Sequence, residues 1–304
     1  MPLLEVRGLE KAYGQRRVVA GVDFHVGAGE IVGLLGPNGA GKTTTFRMVM
    51  GIIPCRTGSV RFAEQEITRL PMFRRARLGM GYLLQEESIF QMTVEDNIYA
   101  ILETQPLTRR ERQARMQELL ADLNLSRLAK NHAATLSGGE RRRLEICRAL
   151  VMNPRILLLD EPFYGIDPKT CEDIQKIVAQ LQRRGMSILL TDHNVFETFT
   201  IVNRAYIIHD GHILKHGTPA ELVEDPEARR IYLGDKFAEY GESFRHLREE
   251  IERKGHQASP YHAGERTRII RREELERLQA RLCVKALGAH DFWEKFRHSL
   301  SQHS

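Results

Sequence analysis

Apolar positions in the first half of this chain come in short runs. Around Leu4 and Val6 they alternate with polar neighbours over residues 3–7, the period of a half-buried strand, and Val18–Val26 has the same character. Gly29-Glu30 predicts a turn. Ile31–Leu35 is an uninterrupted apolar run, as in a strand covered on both faces, and Thr44–Met50 predicts the start of a helix. From Val94 to about Leu150 the pattern turns helical, and Leu107-Thr108-Arg109-Arg110-Glu111 places a helix start at Thr108. Ile156–Leu159 and Ser187–Thr191 predict two further buried strands, each after a helical stretch. Strands alternating with helices favour an α/β fold around a parallel sheet.

The pattern changes near Gly234. Residues 235–304 hold clustered charges and half of the twelve histidines. Phe244, Leu247 and Ile251 follow helical spacing, as do Leu275, Leu278 and Leu282, and again Phe292, Phe296 and Leu300 beside Trp293. Gly255–Gly264 reads as a linker between two helical stretches. Thirteen Lys/Arg against ten Asp/Glu over residues 241–304, with pairs such as Glu249–Arg253 at i,i+4, read as a solvated helical face. The expected organisation is therefore a domain over 1–234 and a C-terminal helical extension over 235–304.

Composition excludes more than it identifies. In 304 residues, 42% hydrophobic and 28% charged is ordinary for a globular protein, and a net charge of +5 is too mild to imply nucleic acid. Cys55, Cys147, Cys171 and Cys283 form no CxxC pair and fit free thiols in a reducing compartment. The start has no basic segment followed by an apolar one, and no run approaches the ~20 apolar residues that span a bilayer. Work at a membrane would need a membrane part from another chain.

The chemistry lies at the ends of the predicted strands. Gly36-Pro37-Asn38-Gly39-Ala40-Gly41-Lys42-Thr43 fits G-x-x-x-x-G-K-[ST], with a strand before it and a helix containing Thr44 after it. Successive N–H groups at a helix N-terminus form a concave anion site. Lys42 is placed to reach the β- and γ-phosphates, and the Thr43 hydroxyl to hold Mg²⁺. The aliphatic run Ile156–Leu159 delivers Asp160 as a second Mg²⁺ ligand and Glu161 as a candidate general base.

Leu136-Ser137-Gly138-Gly139-Glu140 resembles the signature segment of ABC-type ATPases. Gln85 in Tyr82-Leu83-Leu84-Gln85, Asp167 in Gly165-Ile166-Asp167 and His193 in Thr191-Asp192-His193 stand in that family's order. The match covers roughly residues 3–235. The resemblance implies a P-loop NTPase fold: a RecA-like parallel sheet, an N-terminal antiparallel β part and a helical subdomain at about 90–150. It also implies ATP and Mg²⁺ as ligands. The resemblance further implies that two cassettes pair head to tail, each ATP lying between the glycine loop of one chain and Ser137, Gly138 and Gly139 of the other. Gln85 would sense Mg²⁺ and the attacking water, His193 would contact the γ-phosphate, and Tyr13 would stack on adenine.

A finer resemblance is to the ATPases of lipopolysaccharide exporters, carried by Gly81–Phe90, Thr93–Asn97, Ser137–Arg143, Glu161-Pro162-Phe163, Thr191–Val195 and Arg230–Gly234. ATPases of branched-chain amino-acid importers share much of it. Either implies a peripheral protein on the cytoplasmic face of the inner membrane, bound to two permease subunits. Phe73, Tyr82, Ile89, Phe90 and Met92 are apolar residues near Gln85, and Phe90 is expected to line a groove for a permease helix. Soluble ABC proteins that act on ribosomes or DNA usually carry two cassettes or long coiled coils, and this chain shows neither. Two departures from the pattern are Leu84, in place of the usual proline, and Tyr164, in place of a small residue near the expected dimer seam.

Overall fold

The computed structural model describes residues 1–86, 88–234 and 237, which belong to two units, Met1–Thr218 and one beginning at Pro219. The first unit runs β1 (Leu4–Tyr13), β2 (Arg16–Val26), β3 (Ile31–Leu35), α1 (Lys42–Val49), β4 (Thr57–Phe62), β5 (Gln65–Glu66), α2 (Met72–Arg77) and β6 (Met80–Leu83). It continues through α3 (Val94–Leu102), α4 (Arg109–Asp122), α5 (Gly138–Leu150), β7 (Ile156–Asp160), α6 (Pro168–Arg183), β8 (Ser187–Thr191), α7 (Val195–Phe199), β9 (Arg204–His209) and β10 (His212–Gly217).

Strands β2-β1-β4-β5 form an antiparallel sheet, and β10-β9-β3-β8-β7-β6 form a second sheet that is parallel except for β10. The expected α/β architecture with an N-terminal antiparallel part is present. Every residue of β3, β7 and β8 is buried, as expected of parallel strands covered on both faces. In the second sheet β3 and β7 lie on either side of β8. Loops leaving the carboxyl ends of these three strands therefore converge, which is where open α/β sheets bind ligands.

Several predicted elements shift. The first strand continues past residue 7 to Tyr13, because register shifts at Val6/Leu9, Leu9/Glu10 and Lys11/Ala12 break the period-two pattern. The helix predicted from Thr44 begins at Lys42. Thr108 caps α4 with a full capping box, accepting from Glu111 N while Glu111 accepts from Thr108 N.

One buried charge stabilises α1 from behind. Arg75 is 2% exposed and gives its guanidinium to four carbonyls: Met48 and Val49 at 2.9 and 2.5 Å, Leu70 and Thr68 both at 2.8 Å. Two of these are carbonyls of the last turn of α1, which the helix leaves unpaired. Burial pulls the Arg75 pKa down to about 10, so the charge persists. Cys55, Cys147 and Cys171 are free thiols.

In the second unit, helices at Pro219–Glu224 and Pro226–Ala228 lead into a wide turn over Arg229–Leu233. Asp225 caps the shorter helix through Glu227 N and Ala228 N, at 2.9 and 2.8 Å. The predicted stripes from Phe244 to Leu300 and the linker Gly255–Gly264 lie outside the described residues.

Candidate functional site

The glycine loop joins β3 to α1 in the predicted strand–loop–helix context. A Cβ on Gly36 would lie 2.1 Å from the Ile208 carbonyl oxygen, and one on Gly41 2.6 Å from that of Val18. Only glycine fits at either place, and Gly41 also has a left-handed backbone (φ 106°). Among the described residues, the N–H groups of Lys42, Thr43 and Thr44 find no acceptor, so the helix presents three free donors at its start. Ala40 is buried under the loop, whereas Asn38 and Gly39 are exposed.

Lys42 is 5% exposed. Its ammonium donates to the carbonyls of Gly36 at 2.7 Å and Pro37 at 3.0 Å. Burial lowers its pKa, opposed through space by Glu161, Asp160 and Asp192. A buried cation that has carbonyls but no hydrogen-bonded carboxylate is suited to an anion.

Asp160 ends β7 fully buried. The Thr43 hydroxyl donates to its Oδ1 at 3.4 Å and the Tyr82 hydroxyl to its Oδ2 at 3.0 Å. Burial raises the Asp160 pKa, and the Tyr82 bond counters that shift. Glu161 follows at φ 51°, a left-handed conformation that costs a non-glycine residue on the order of 1–3 kcal/mol. Its N–H donates to Thr191 O at 2.8 Å, its Oε2 accepts from Gln85 Nε2 at 2.9 Å, and His193 Nδ1 lies 3.7 Å from that same oxygen. Gln85, a third candidate Mg²⁺ ligand beside Thr43 and Asp160, is thus bonded to Glu161.

The turn that holds Glu161 is clamped by a residue the sequence reading passed over. Arg142 on α5 donates to the carbonyls of Asp160 (3.3 Å), Glu161 (2.7 Å), Pro162 (3.2 Å) and Leu84 (3.3 Å), and pairs with buried Glu145 at 2.9 Å. Glu145 accepts from Ser88 N at 3.0 Å. This pair ties α5, the glutamine loop and the carboxylate turn together. Tyr82, left open between groove and core, packs its ring against the core and turns its hydroxyl to Asp160. Nothing in the sequence separates Arg142 from Arg141 and Arg143, or marks one apolar-flanked tyrosine as a hydrogen-bond donor to a carboxylate.

Ser137 caps α5, its hydroxyl and N–H both donating to Glu140 Oε2 at 2.8 Å. Among the described residues, no hydrogen bond from Ser137, Gly138 or Gly139 reaches the glycine loop of the same chain. Tyr13 is 53% exposed at the end of β1, with the Lys11 ammonium 5.4 Å from its ring centre. Phe90 is 43% exposed. Asn97, fully buried on α3, bonds both its N–H and its carbonyl, and the Arg148 guanidinium lies 4.2 Å from its ring centre.

The sequence profile of the ABC transporter family matches residues 19–164. The chain is 53% identical over 236 residues to the lipopolysaccharide export system ATP-binding protein LptB of Acidithiobacillus ferridurans, covering 77% of this chain and 98% of the relative. It is 48% identical over 239 residues to the Escherichia coli protein of the same name, covering 78% and 99%. Among solved structures it resembles MJ1267, an ATP-binding cassette of an ABC transporter in its ADP conformation, at 27% identity and a TM-score of 0.69. That superposition covers 77% of this chain and 99% of the other. A nucleotide-free cassette from an ABC transporter aligns at 26% identity and a TM-score of 0.70, covering 77% and 100%. A glycine loop opening a helix, beside two carboxylates and a histidine on neighbouring strand ends, agrees with this kinship: the chain belongs to the ABC transporter family as one of its ATP-binding cassettes.

Proposed function

We propose that this chain is the ATP-hydrolysing motor of a lipopolysaccharide exporter, working as a head-to-tail pair beneath two permease subunits on the cytoplasmic face of the inner membrane. The observation that carries the catalytic part is the convergence of Lys42, Asp160, Glu161, Gln85 and His193 around one loop. Identity of about half over nearly the whole length of two lipopolysaccharide export proteins supports the cargo. Among the described residues no helix is long and apolar enough to cross a membrane, so the lipid-embedded path belongs to partner subunits.

The donor set suits MgATP. Free N–H groups from Lys42 to Thr44 and the buried Lys42 ammonium favour the phosphates, with Gly36–Gly41 allowing close approach. Thr43 and Asp160 offer two hard oxygen ligands for Mg²⁺. When bound, the ion would draw negative charge from the terminal phosphates. Glu161 accepts the proton of the attacking water. Gln85, already bonded to Glu161, orients that carboxylate, and His193 beside it contacts the γ-phosphate. Tyr13 is open to stack on adenine. Ser137, Gly138 and Gly139 serve the ATP of the second copy, in keeping with their making no hydrogen bond to their own loop among the described residues. Phe90, its backbone fixed by Asn97 and its ring exposed, receives the permease helix.

Glu161→Gln tests the assignment. It is expected to keep ATP binding, abolish phosphate release and trap a dimer in light scattering; release at the wild-type rate would refute Glu161 as the base. Phe90→Ala is expected to lose co-purification with the permease pair while keeping ATP binding, and an intact complex would place the groove elsewhere.

A further inference from the structure

Tyr164 stands where the family pattern has a small residue, and it is 62% exposed. Its ring meets that of His193, with centroids 5.5 Å apart and planes inclined by 67°. The contact follows from the backbone. Tyr164 N donates to Glu161 O at 3.2 Å, closing a turn that starts at the left-handed Glu161. Inside that turn Phe163 N donates to Asp192 Oδ2 at 3.0 Å, which ties it to the strand end carrying His193. The loops bearing the two rings are therefore bonded to each other.

On its other side the imidazole is not held. His193 Nδ1 lies 3.7 Å from Glu161 Oε2 and 3.9 Å from Asp192 Oδ1, both beyond hydrogen-bond distance. Among the described residues its ring makes no hydrogen bond, and nearly half of its side chain is exposed. A ring whose Nδ1 sits between two carboxylates and is bonded to neither is free to rotate onto one of them. Edge-to-face packing against an aromatic neighbour opposes that rotation.

We propose that Tyr164 is a positioning residue for His193. Its ring holds the imidazole short of hydrogen bonding to the Glu161 carboxylate, which stays bonded to Gln85 and free to act as the base. The proposal rests on the reading of His193 as a γ-phosphate contact. The ring performs this role; among the described residues the Tyr164 hydroxyl makes no hydrogen bond.

The test uses the full-length chain with Y164A, Y164F and H193A. His193 ring resonances are assigned in ¹³C-histidine spectra by their loss in H193A. Y164A is expected to move those resonances as the ring current disappears. It should lower kcat about three- to ten-fold while KM for ATP changes by less than about twofold. Y164F should restore both. Tyr164 is on the surface, so neither substitution is expected to unfold the cassette. Unmoved His193 resonances in Y164A, or a Y164F as impaired as Y164A, would overturn the proposal. H193A turning over ATP at the wild-type rate would instead overturn the reading beneath it, and the resonance shift would still report the ring contact.

Discussion

Removing the Arg142 side chain separates two costs that the structure places together. Glu145 has a side chain only 3% exposed and is paired to Arg142 at 2.9 Å. Arg142→Met keeps most of the volume but leaves that carboxylate with Ser88 N as its remaining donor. Stranding one member of a buried ion pair costs about 3–5 kcal/mol. The carbonyls of Leu84, Asp160, Glu161 and Pro162 lose a donor as well. A domain of this size loses about 2–4 °C of melting temperature per kcal/mol, so the midpoint should fall by roughly 6–20 °C. The double variant R142M/E145Q removes the stranded charge and should recover about half of the loss or more. Differential scanning calorimetry on nucleotide-free protein measures both. Equal midpoints for the single and double variants, or a fall below about 2 °C for the single one, would refute the claim that a buried ion pair stabilises this junction.

Three further outcomes are expected. Gly36→Ala puts a methyl into the Ile208 carbonyl, so it should yield misfolded protein or abolish nucleotide binding by fluorescence titration; near-native affinity would contradict the close approach. Asp160→Asn should melt higher than wild type at neutral pH in metal-free, nucleotide-free buffer. Burial raises the Asp160 pKa, so stability is full below the ordinary carboxylate range and falls as pH rises through the folded value; the gap between the two proteins should therefore narrow on acidification, and a pH-independent gap would contradict it. Ser137→Ala removes the α5 cap and should cost about 1 kcal/mol by urea denaturation; unchanged stability would show that the hydroxyl cap contributes nothing.

The legible parts of the fold were those in which one local signal suffices. β3, β7 and β8 appear in sequence as unbroken apolar runs, because a parallel strand covered on both faces has no polar side to show. Thr108 announced α4 because its partner Glu111 is three residues away. By contrast, register shifts in β1 and between β9 and β10 break the period-two pattern. The clamp at Arg142 was invisible for a different reason. Its five acceptors come from residues 84, 145 and 160–162, and only folding brings them within reach of one guanidinium.

By itself, then, the sequence determined the phosphate loop, the carboxylate pair and the order of the motifs. Each depends on residue types at fixed short spacings, where backbone geometry leaves little choice. Tertiary structure alone decided which side chains those groups touch. Gln85 bonds Glu161, Tyr82 bonds Asp160, and Tyr164 packs against His193. Those pairings span from 29 to 78 residues of chain and are set by the order of strands in the sheet, which no local pattern encodes.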